Sequence, residues 1–504
     1  MKKMFFSLCS LISGVTSLPL SAETLVQALQ QGISRSPSLQ YSLSQIAASE
    51  SSVNQARSGW LPNISVSAGQ QAMGQSSDTG DNQYAVTVQQ NVFDFGRTGD
   101  RVDNAKYKKG SQIWKAIDDA ETLSAKIAES YFNILKGQRL LQNNRAEMGE
   151  HKRILDLAVA RAEGGVDNQG DVRQVEVRIR GLEASAESIR AQLQAAENEY
   201  QILVGTPPGE LQETDLTFLE KEINKDLQEL IRSSPQIRAL QMEQAAAGSE
   251  YQYVRKNWLP QLSVSVSQGK TSIYGENDTQ VMLNVTSNLF DGGNSYFQAE
   301  NAAKQVESAR WNVQKSMEDN ASDVAQNFQQ ALGYKQEVTI YKIRETQSRQ
   351  VMSLYNDQYR VNRRSVLDLL NAAQEYYQTI DSQINSLSSY DITTIRAVAK
   401  LGKINQVFGI DLAIDKDQEI ESSLDKQPDI VDKNAMPTTI PENIVANEPL
   451  PLPEATTLSP TSVSAETMEP AVETAQPVNN TNKNSAASHA QPNDIEDPLA
   501  LLAP

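Results

Sequence analysis

The chain has little of the chemistry that enzymes and metalloproteins use. Its 504 residues include two histidines and one cysteine, which leaves almost no material for a His/Cys metal site or a Cys–His nucleophile pair. Aromatic residues make up 6% and all hydrophobic residues 39% of the chain, so there is little material for several thick cores. We therefore expect no catalytic residues, no metal and no cofactor in a protein that is not an enzyme.

Positive charge is also scarce, and the excess of negative charge is local. The chain has 45 basic and 63 acidic residues, a formal charge of −18, which argues against a nucleic-acid partner because such partners are held by neutralising phosphates. From Asp411 to Pro504 there are 17 acidic and 4 basic residues and 12 of the 19 prolines. Such a composition cannot bury enough apolar surface to order itself, so we expect residues 413–504 to form a disordered, acidic, proline-rich tail.

The start of the chain has the pattern of a secretory signal. Two lysines precede an apolar stretch from Met4 to Leu20, and small residues follow it. This pattern predicts a signal peptide over residues 1–22. The alternative is an N-terminal membrane anchor, although the stretch is short for a spanning helix and is broken by serines and a proline. Since Cys9 lies within the signal, the mature chain would have no cysteine for disulfides.

The middle of the chain contains one unit twice, at an offset of 197 or 198 residues. The repeated elements are Trp60-Leu61-Pro62 and Trp258-Leu259-Pro260, Asn91-Val92-Phe93-Asp94 and Asn288-Leu289-Phe290-Asp291, and the single residues Asp171 and Asp368. All four tryptophans form two such pairs. A repeat of this length predicts a duplicated structural unit. We expect the repeats at residues 23–205 and 235–412, joined by a linker at residues 206–234.

Each unit begins with a helix that ends before its Leu-Pro step, because a residue that precedes proline is disfavoured in a helix. Apolar residues then alternate with serines, as at Ile64, Val66 and Ala68. The alternation predicts two strands per unit that form a hairpin. The connections at residues 74–82 and 269–278 are rich in glycine, serine and aspartate, which is typical of hairpin loops.

A long helix follows the strands of each unit. No proline interrupts the chain from Arg97 to about Glu163 or from about Ser295 to Tyr359, and 67 residues would span about 100 Å as a helix. Turns at residues 164–170 and 360–365 reverse the chain into return helices. Apolar residues spaced by four and three predict coiled-coil packing; they include Ile113, Ile117, Ala120, Ile127, Tyr131, Ile134 and Leu141, and then Val175, Ile179, Leu182 and Ala186.

The predicted strands have a length of about ten residues, which suffices to cross an outer membrane when the strands are tilted. One chain offers four of them, whereas the smallest closed barrels need about eight. Open sheet edges cannot lie in lipid, because unpaired backbone groups there cost several kcal/mol each. If the strands lie in a membrane, several chains must therefore contribute to one barrel. The alternative is a water-soluble sheet packed on the helices.

The Ser-Pro step before a helix, the Trp-Leu-Pro motif, the Asn-x-Phe-Asp-x-Gly motif, the duplication and the helix lengths together resemble the TolC family of outer-membrane efflux and secretion channels. The resemblance covers roughly residues 23–412. It implies a mixed, mainly α fold: a homotrimer in which four strands per protomer form one outer-membrane β-barrel, continuous with a long antiparallel α-helical coiled-coil barrel. Residues 206–234 and 403–412 would form an equatorial belt.

The same resemblance implies a location and partners. The protein would sit in outer-membrane lipid, extend into the periplasm, and receive cargo from an inner-membrane transporter through a periplasmic adaptor protein. Its function would be that of an exit duct in a tripartite efflux pump or a type I secretion system, passively conducting small molecules or unfolded proteins. The residues alone leave a second possibility, a periplasmic coiled-coil interaction protein without a pore.

The resemblance also assigns roles near the periplasmic turns. Tyr359, Arg364 and Asp171 match the tyrosine, arginine and aspartate of a network that closes the tip of the family's channels. Asp368 matches the first position of an acidic ring that constricts the entrance, and Asn371 stands at the second position, where the family has an acid. One carboxylate per protomer predicts a cation-selective entrance with a weaker field. The alternative is that Arg364 and Asp368 form a solvated i,i+4 pair.

Two further residue types have simpler interpretations. His151 lies among charged neighbours, a pattern that favours a solvated helix face. Trp60 and Trp258, at the starts of strands, fit membrane-interface anchors. Trp114 and Trp311 lie within the first turns of the long helices, where we expect them to pack against neighbouring helices.

Overall fold

The computed structural model describes residues 23–70, 82–166, 168–219, 227–270 and 277–414. The predicted signal peptide, most of both hairpin connections, residues 220–226 of the predicted linker and the tail from residue 415 lie outside these residues.

The first repeat folds in the predicted order. Helices α1 (Leu25–Arg35) and α2 (Pro37–Arg57) are followed by strands β1 (Asn63–Gln70) and β2 (Asn82–Phe93), and then by helices α3 (Arg97–Glu163) and α4 (Gln169–Val204). Ser36 caps α2 by accepting a hydrogen bond from the Leu39 N–H (3.3 Å), and the following proline suits the first position of a helix. The prediction of one unbroken helix from Arg97 to Glu163 is confirmed.

The second repeat has the same elements. A short helix α5 (Leu227–Arg232) leads into α6 (Pro235–Arg255), and strands β3 (Gln261–Lys270) and β4 (Asn277–Thr286) follow. Helix α7 (Asn294–Arg360) has 67 residues, as α3 does. Helix α8 (Val366–Lys400) returns along it, and the short α9 (Ile404–Val407) ends the described elements. Both 67-residue helices begin after a glycine of positive φ, Gly96 (82°) and Gly293 (88°).

The four strands form one antiparallel sheet in the order β1-β2-β3-β4. The central pair joins the two repeats, with Val88 opposite Val266. The apolar residues of the predicted alternation are exposed on this sheet: Ile64 and Val66 in β1 and Val281, Leu283 and Val285 in β4 are 67 to 74% exposed. The sheet therefore presents an uncovered apolar face, and β1 and β4 are its edges among the described residues.

The long helices form a layer. Helix α3 packs against α4 on one side and α8 on the other, and α8 packs against α7. The order across the layer is thus α4, α3, α8, α7, with α2 against α3 and α6 between α3 and α7. Within the described residues, no helix has the length and hydrophobicity needed to span a membrane.

Two hydrophobic clusters hold this layer together. The larger contains Ile127 and Tyr131 of α3 and Ile395 of α8. The smaller lies near the hairpin turns and takes residues from all four long helices, among them Ile154, Val175, Tyr359 and Leu369. Residues of the predicted four-and-three spacing are buried, including Ile113, Ile127, Ile134 and Val175. The predicted coiled-coil seam is confirmed.

The two tryptophans of the long helices differ although they are repeat partners. Trp114 packs against a cluster formed by Tyr107 and three residues of α6, Met242, Ala245 and Ala246. Trp311 is 58% exposed, and the Arg310 guanidinium lies 6.0 Å from its ring centroid. The prediction that both pack is confirmed for Trp114 and is wrong for Trp311 within one protomer.

Candidate gate at the ends of the long helices

The two helical hairpins end in turns of the same construction. The first turn comprises residues 164–168, of which residue 167 lies outside the described part, and the second comprises residues 361–365. The backbone hydrogen bonds that close α3 and α7 run from Val166 to Arg161 (2.9 Å), from Gly165 to Ala162 (3.1 Å), from Arg363 to Gln358 (2.8 Å) and from Asn362 to Tyr359 (3.0 Å). Both sets form the Schellman pattern of a helix C-terminus.

The aspartates predicted for the gate also cap the return helices. Asp171 donates its N–H to the Asn168 Oδ1 (3.0 Å) and accepts the Asn168 N–H (3.4 Å). Asp368 and Ser365 form the same pair of bonds. The Asp368 N–H donates to the Ser365 Oγ (3.2 Å), and the Ser365 N–H donates to the Asp368 Oδ2 (3.1 Å). These bonds from Ser365 hold the pKa of Asp368 below its usual value. The Asn-x-x-Asp and Ser-x-x-Asp spacing resembles a capping box and could have indicated this role.

Tyr359 is fully buried at the end of α7. Its ring belongs to the cluster formed by all four long helices, so this residue ties the second hairpin to the first. Asp171 lies in the first turn of the return helix of the first hairpin and is half-buried. Among the described residues, no ion pair joins Asp171 to Arg364, so one protomer does not bring these two predicted gate residues together.

Arg364 contacts residues on both sides of the second turn. Its guanidinium lies 4.3 Å from the ring centroid of Tyr355, and its Nε donates to the Gln358 Oε1 (3.2 Å). The Asp368 carboxylate is 3.9 Å from its Nη1, at the outer limit of an ion pair. The structure thus brings Arg364 and Asp368 close but gives the pair little strength, because both side chains are partly exposed.

Asn371, the second predicted constriction residue, faces α4 of the same protomer. Arg178 of α4 donates to the Asn371 Oδ1 (3.5 Å) and, at a shorter distance, to the Gln374 Oε1 (2.8 Å). A cation therefore lies beside the position at which the family has an acid. This neighbour would reduce the negative field of an entrance ring formed by Asp368.

Arg161, in the last turn of α3, is a residue that sequence reasoning missed. It donates to the Tyr359 carbonyl oxygen (2.9 Å) and to the Asn362 Oδ1 (2.8 Å), both in the second hairpin. Its guanidinium also lies 4.5 Å from the ring centroid of Tyr359. Since these partners are about 200 positions away, no local pattern could have found the contact.

A polar segment of α3 separates the two hydrophobic clusters. Asn143 donates to the Asp381 carboxylate of α8 (2.8 Å). Glu147 and His151 are 8% and 1% exposed, and the His151 Nδ1 lies 3.0 Å from the Glu147 carbonyl oxygen. Burial lowers the pKa of His151 and raises that of Glu147 to about 7. The prediction of a solvated face at His151 is wrong, because α8 and α4 cover this side of α3.

The model of the outer membrane efflux protein family matches residues 28–206 and 227–403. The chain belongs to this family. It is 23% identical over 501 residues to outer membrane protein TolC of Escherichia coli strain K12, covering 93% of this chain and 98% of TolC. It is 25% identical over 290 residues to protein CyaE of Bordetella pertussis, covering 53% of this chain and 60% of CyaE. The solved structure of VceC of Vibrio cholerae shares the fold, with a TM-score of 0.67 and 16% identity over 75% of this chain and 96% of VceC.

These matches confirm the resemblance noted in the sequence. The two matched segments of the outer membrane efflux protein family correspond to the two copies of the repeat, and the mainly helical fold with antiparallel strands is that of the family's solved channels. An outer-membrane channel for efflux or secretion, extending into the periplasm, is confirmed over the alternative of a coiled-coil protein without a pore.

Proposed function

We propose that three copies of this chain assemble into one duct, with twelve strands closing a barrel in the outer membrane and the long helices closing a conduit below it. The observation that carries the proposal is that one protomer, within its described residues, leaves strand edges and helix faces without a partner on both of its sides. β1 and β4 are the edges of the described sheet, and strand edges in lipid must be paired.

The helical layer also has exposed faces at both of its sides. Helices α4 and α7, at its two sides, each carry an exposed stripe of uncharged residues with the four-and-three spacing of a coiled-coil seam. On α4 the stripe is Gly170, Gln174, Val177, Gly181, Ala184, Ser188, Ala191, Ala195, Asn198 and Ile202; on α7 it is Gln329, Gly333, Gln336, Ile340, Ile343, Gln347, Gln350 and Leu354. Solvated faces of long helices are normally charged, so these stripes support burial against another copy.

The repeat supports a specific pairing of these stripes. Within one protomer, α3 of the first repeat packs against α8 of the second, and Asn143 contacts Asp381 there. The repeat-equivalent helices are α7 and α4, and the equivalent residues are Ile340 and Ala184. If the same contact recurs between copies, α7 of one protomer packs against α4 of the next and the ring closes.

Trp311 supports the same arrangement. Its repeat partner Trp114 is covered by α6 of the other repeat. The repeat-equivalent of α6 is α2, so α2 of a neighbouring copy would cover Trp311. This accounts for a large aromatic side chain that is 58% exposed in a single protomer.

Two connecting segments support an equatorial belt at the junction of the repeats. The Tyr131 hydroxyl donates to the Gln212 carbonyl oxygen (2.5 Å), which fixes the linker against the middle of α3. The buried carboxylate of Glu121 accepts the N–H groups of Ile404 (2.8 Å) and Asn405 (3.3 Å). Burial raises the pKa of Glu121 to about 7. These contacts of Gln212, Ile404 and Asn405 with α3 support a belt formed by residues 206–234 and 403–412.

We also propose that the hairpin ends are a gate. Asp171 and Arg364 would meet across the boundary between copies, because they do not meet within one, and Tyr359 would anchor the closed tip. Asp368 would give one carboxylate per copy at the entrance. A periplasmic adaptor protein would hold this end to an inner-membrane transporter. The two closely similar turns and their charged residues support this assignment.

The assembly can be tested on the full chain. Outer membranes are extracted with and without detergent, the mass of the purified complex is measured, and its conductance is recorded in planar bilayers. We expect extraction only with detergent, a mass of three chains, and a small conductance from a closed tip. A complex of two or four chains would contradict the trimer, and full solubility without detergent would contradict the duct.

Cargo is tested in a deletion strain of the source organism. Drug sensitivity and the export of unfolded proteins are measured side by side, with the wild-type gene restored as the control. Drug sensitivity identifies an efflux pump, and a protein-export defect identifies a secretion system. A strain unaffected in both would contradict the role of exit duct.

A further inference from the structure

We propose that Arg161 is a positioning residue of the gate, holding Tyr359 and the second turn against the first hairpin so that both hairpin ends of a protomer move as one unit. The inference rests on the proposed gate at the hairpin ends. It adds a residue to that gate which lies outside the network formed by Asp171, Tyr359 and Arg364.

Two hydrogen bonds of Arg161 converge on the atoms that define the second turn. One guanidinium N–H donates to the Tyr359 carbonyl oxygen (2.9 Å), and the same oxygen accepts the N–H of Asn362 (3.0 Å), which closes α7. Another N–H donates to the Asn362 Oδ1 (2.8 Å). Asn362 has a φ of 60°. A single side chain thus holds both the helix end and the left-handed residue that follows it.

The chemistry of these contacts requires arginine. Both acceptors are neutral oxygens, and a planar guanidinium can donate to both while lying 4.5 Å from the Tyr359 ring centroid. Lysine presents a compact ammonium that cannot reproduce this fork or stack on the ring. The cation–π contact adds attraction because Tyr359 is fully buried and the ring face is sheltered from water.

The repeat shows that this clamp works in one direction. The residue at the repeat-equivalent position of Arg161 is Gln358, which uses its Oε1 to accept a hydrogen bond from Arg364 of its own hairpin (3.2 Å). Gly165, the equivalent of Asn362, has no side chain to offer. The first hairpin therefore provides this clamp, and the equivalent positions Gln358 and Gly165 do not form a second clamp of the same kind.

A clamp of this kind determines where the tip can open. With Arg161 in place, the two hairpin ends of one protomer are joined, so opening occurs between protomers. Without it, the second turn loses two hydrogen bonds to the first hairpin, and the Tyr359 ring loses its cation–π contact. Arg364 lies in the second turn, so its contacts across the protomer boundary would loosen as well.

The test compares Arg161→Ala and Arg161→Lys with Arg173→Ala in the full-length assembly. Arg173 is 78% exposed and pairs with Glu176 on its own helix, so it is a matched arginine near the same tip. We expect Arg161→Ala to raise the closed-state conductance several-fold, Arg161→Lys to raise it less, and Arg173→Ala to leave it unchanged.

Hydrogen exchange separates a positioning role from general destabilisation. In Arg161→Ala, the amides of Asn362 and Arg363 should exchange about three to ten times faster, the effect of losing one hydrogen bond. The amides of Gly165 and Val166 in the first turn should keep their rates. Equal acceleration at both turns would overturn the proposal, because it would show overall loosening of the tip.

Asn362→Gly completes a double-mutant cycle. Glycine keeps the left-handed turn but removes the Oδ1 acceptor, so its effect on conductance should not add to that of Arg161→Ala. Additive effects would overturn the clamp.

If Asp171→Asn and Arg364→Ala raise conductance but Arg161→Ala does not, the gate stands and the role of Arg161 is refuted. If Arg161→Ala accelerates hydrogen exchange at the second turn but none of the variants changes conductance, the clamp exists and the proposal of a gate is wrong.

Discussion

Asn362 and Gly165 occupy the same position of the two repeats, and both lie in the left-handed region, with φ values of 60° and 73°. The duplication therefore extends to the backbone conformation of single residues. Glycine and asparagine are among the residues that adopt this conformation at low cost. The two copies diverged in side chain while the turn was kept, and the asparagine offers an oxygen that Arg161 binds.

Gly165→Ala should destabilise the protein by about 1 to 2 kcal/mol through backbone strain alone. A Cβ at Gly165 would meet no atom of the described residues within 4 Å, so backbone strain is the expected cause. Gly149→Ala, in the interior of α3 and equally unobstructed, is the control and should stabilise the protein by about 0.5 to 1 kcal/mol. Thermal unfolding of both variants measures the difference, and effects of the same sign would refute the assignment of strain.

Ala184→Cys combined with Ile340→Cys should give a disulfide between neighbouring chains. The two residues are the repeat equivalents of Asp381 and Asn143, which are in contact within the protomer, and disulfide formation requires a Cα separation below about 7 Å. The predicted mature chain has no other cysteine. Oxidation should convert the chain to a covalent trimer in denaturing gels.

The control for this crosslink is Asn143→Cys with Asp381→Cys. That pair should form a disulfide within one chain and leave the mass in denaturing gels unchanged. If the Ala184/Ile340 pair stays monomeric while the control pair oxidises, α7 and α4 do not pack in the register that the repeat predicts.

Much of the fold followed from local sequence. The limits of α3 could be predicted because its 67 residues contain no proline, and because Gly96 and Gly164 lie at its two ends. The strands could be predicted because their alternation has the period of the pleat. Both signals depend on residues that are neighbours in the chain.

The errors concern contacts between distant segments. His151 has charged neighbours in sequence, but α8 and α4 cover its side of α3, and it is buried. Arg161 looks like one more surface arginine until the second hairpin is placed beside it. Trp311 was expected to pack like Trp114, but the helix that would cover it belongs to the neighbouring copy in the proposed assembly. A local sequence pattern predicts that a segment is helical, but it does not predict which neighbouring segment covers each face of the helix.

Asp171→Asn and Arg364→Ala should each raise the single-channel conductance of the closed state. Asparagine keeps an oxygen that can accept the Asn168 N–H, so Asp171→Asn removes the charge while it preserves the cap of α4. The proposed contact between these charged groups across protomers would be lost in either variant. Planar-bilayer recordings measure the effect, with Arg180→Ala, an exposed arginine of α4 paired with Glu183, as the control. Unchanged conductance in both gate variants would refute the assignment.

Glu147→Gln should stabilise the protein above pH 7. Burial, and after it the charge of Asp381, raises the pKa of Glu147 from 4.5 to about 7. A carboxyl with a raised pKa binds its proton more tightly in the folded state, so its contribution to stability is full below the unfolded pKa and is lost as the pH rises through about 7. Among the described residues its carboxylate has no ion-pair or hydrogen-bond partner. Removing the charge should therefore raise stability at pH 8 by about 1 to 3 kcal/mol.

Three neighbouring ionisable groups also affect the pH dependence of stability. Burial lowers the pKa of His151, so its contribution has the opposite sign and grows as the pH rises. Asp381, whose pKa burial raises, acts in the same direction as Glu147, and the charge of Arg178 lowers the pKa of both Glu147 and His151. Melting temperatures of Glu147→Gln and the wild type are compared from pH 5 to pH 8, with the exposed Glu187→Gln as the control. The melting temperature of the wild type should decline towards pH 8, and that of Glu147→Gln should decline less. If Glu147→Gln declines as steeply as Glu187→Gln, Glu147 is ionised at neutral pH without a cost in stability.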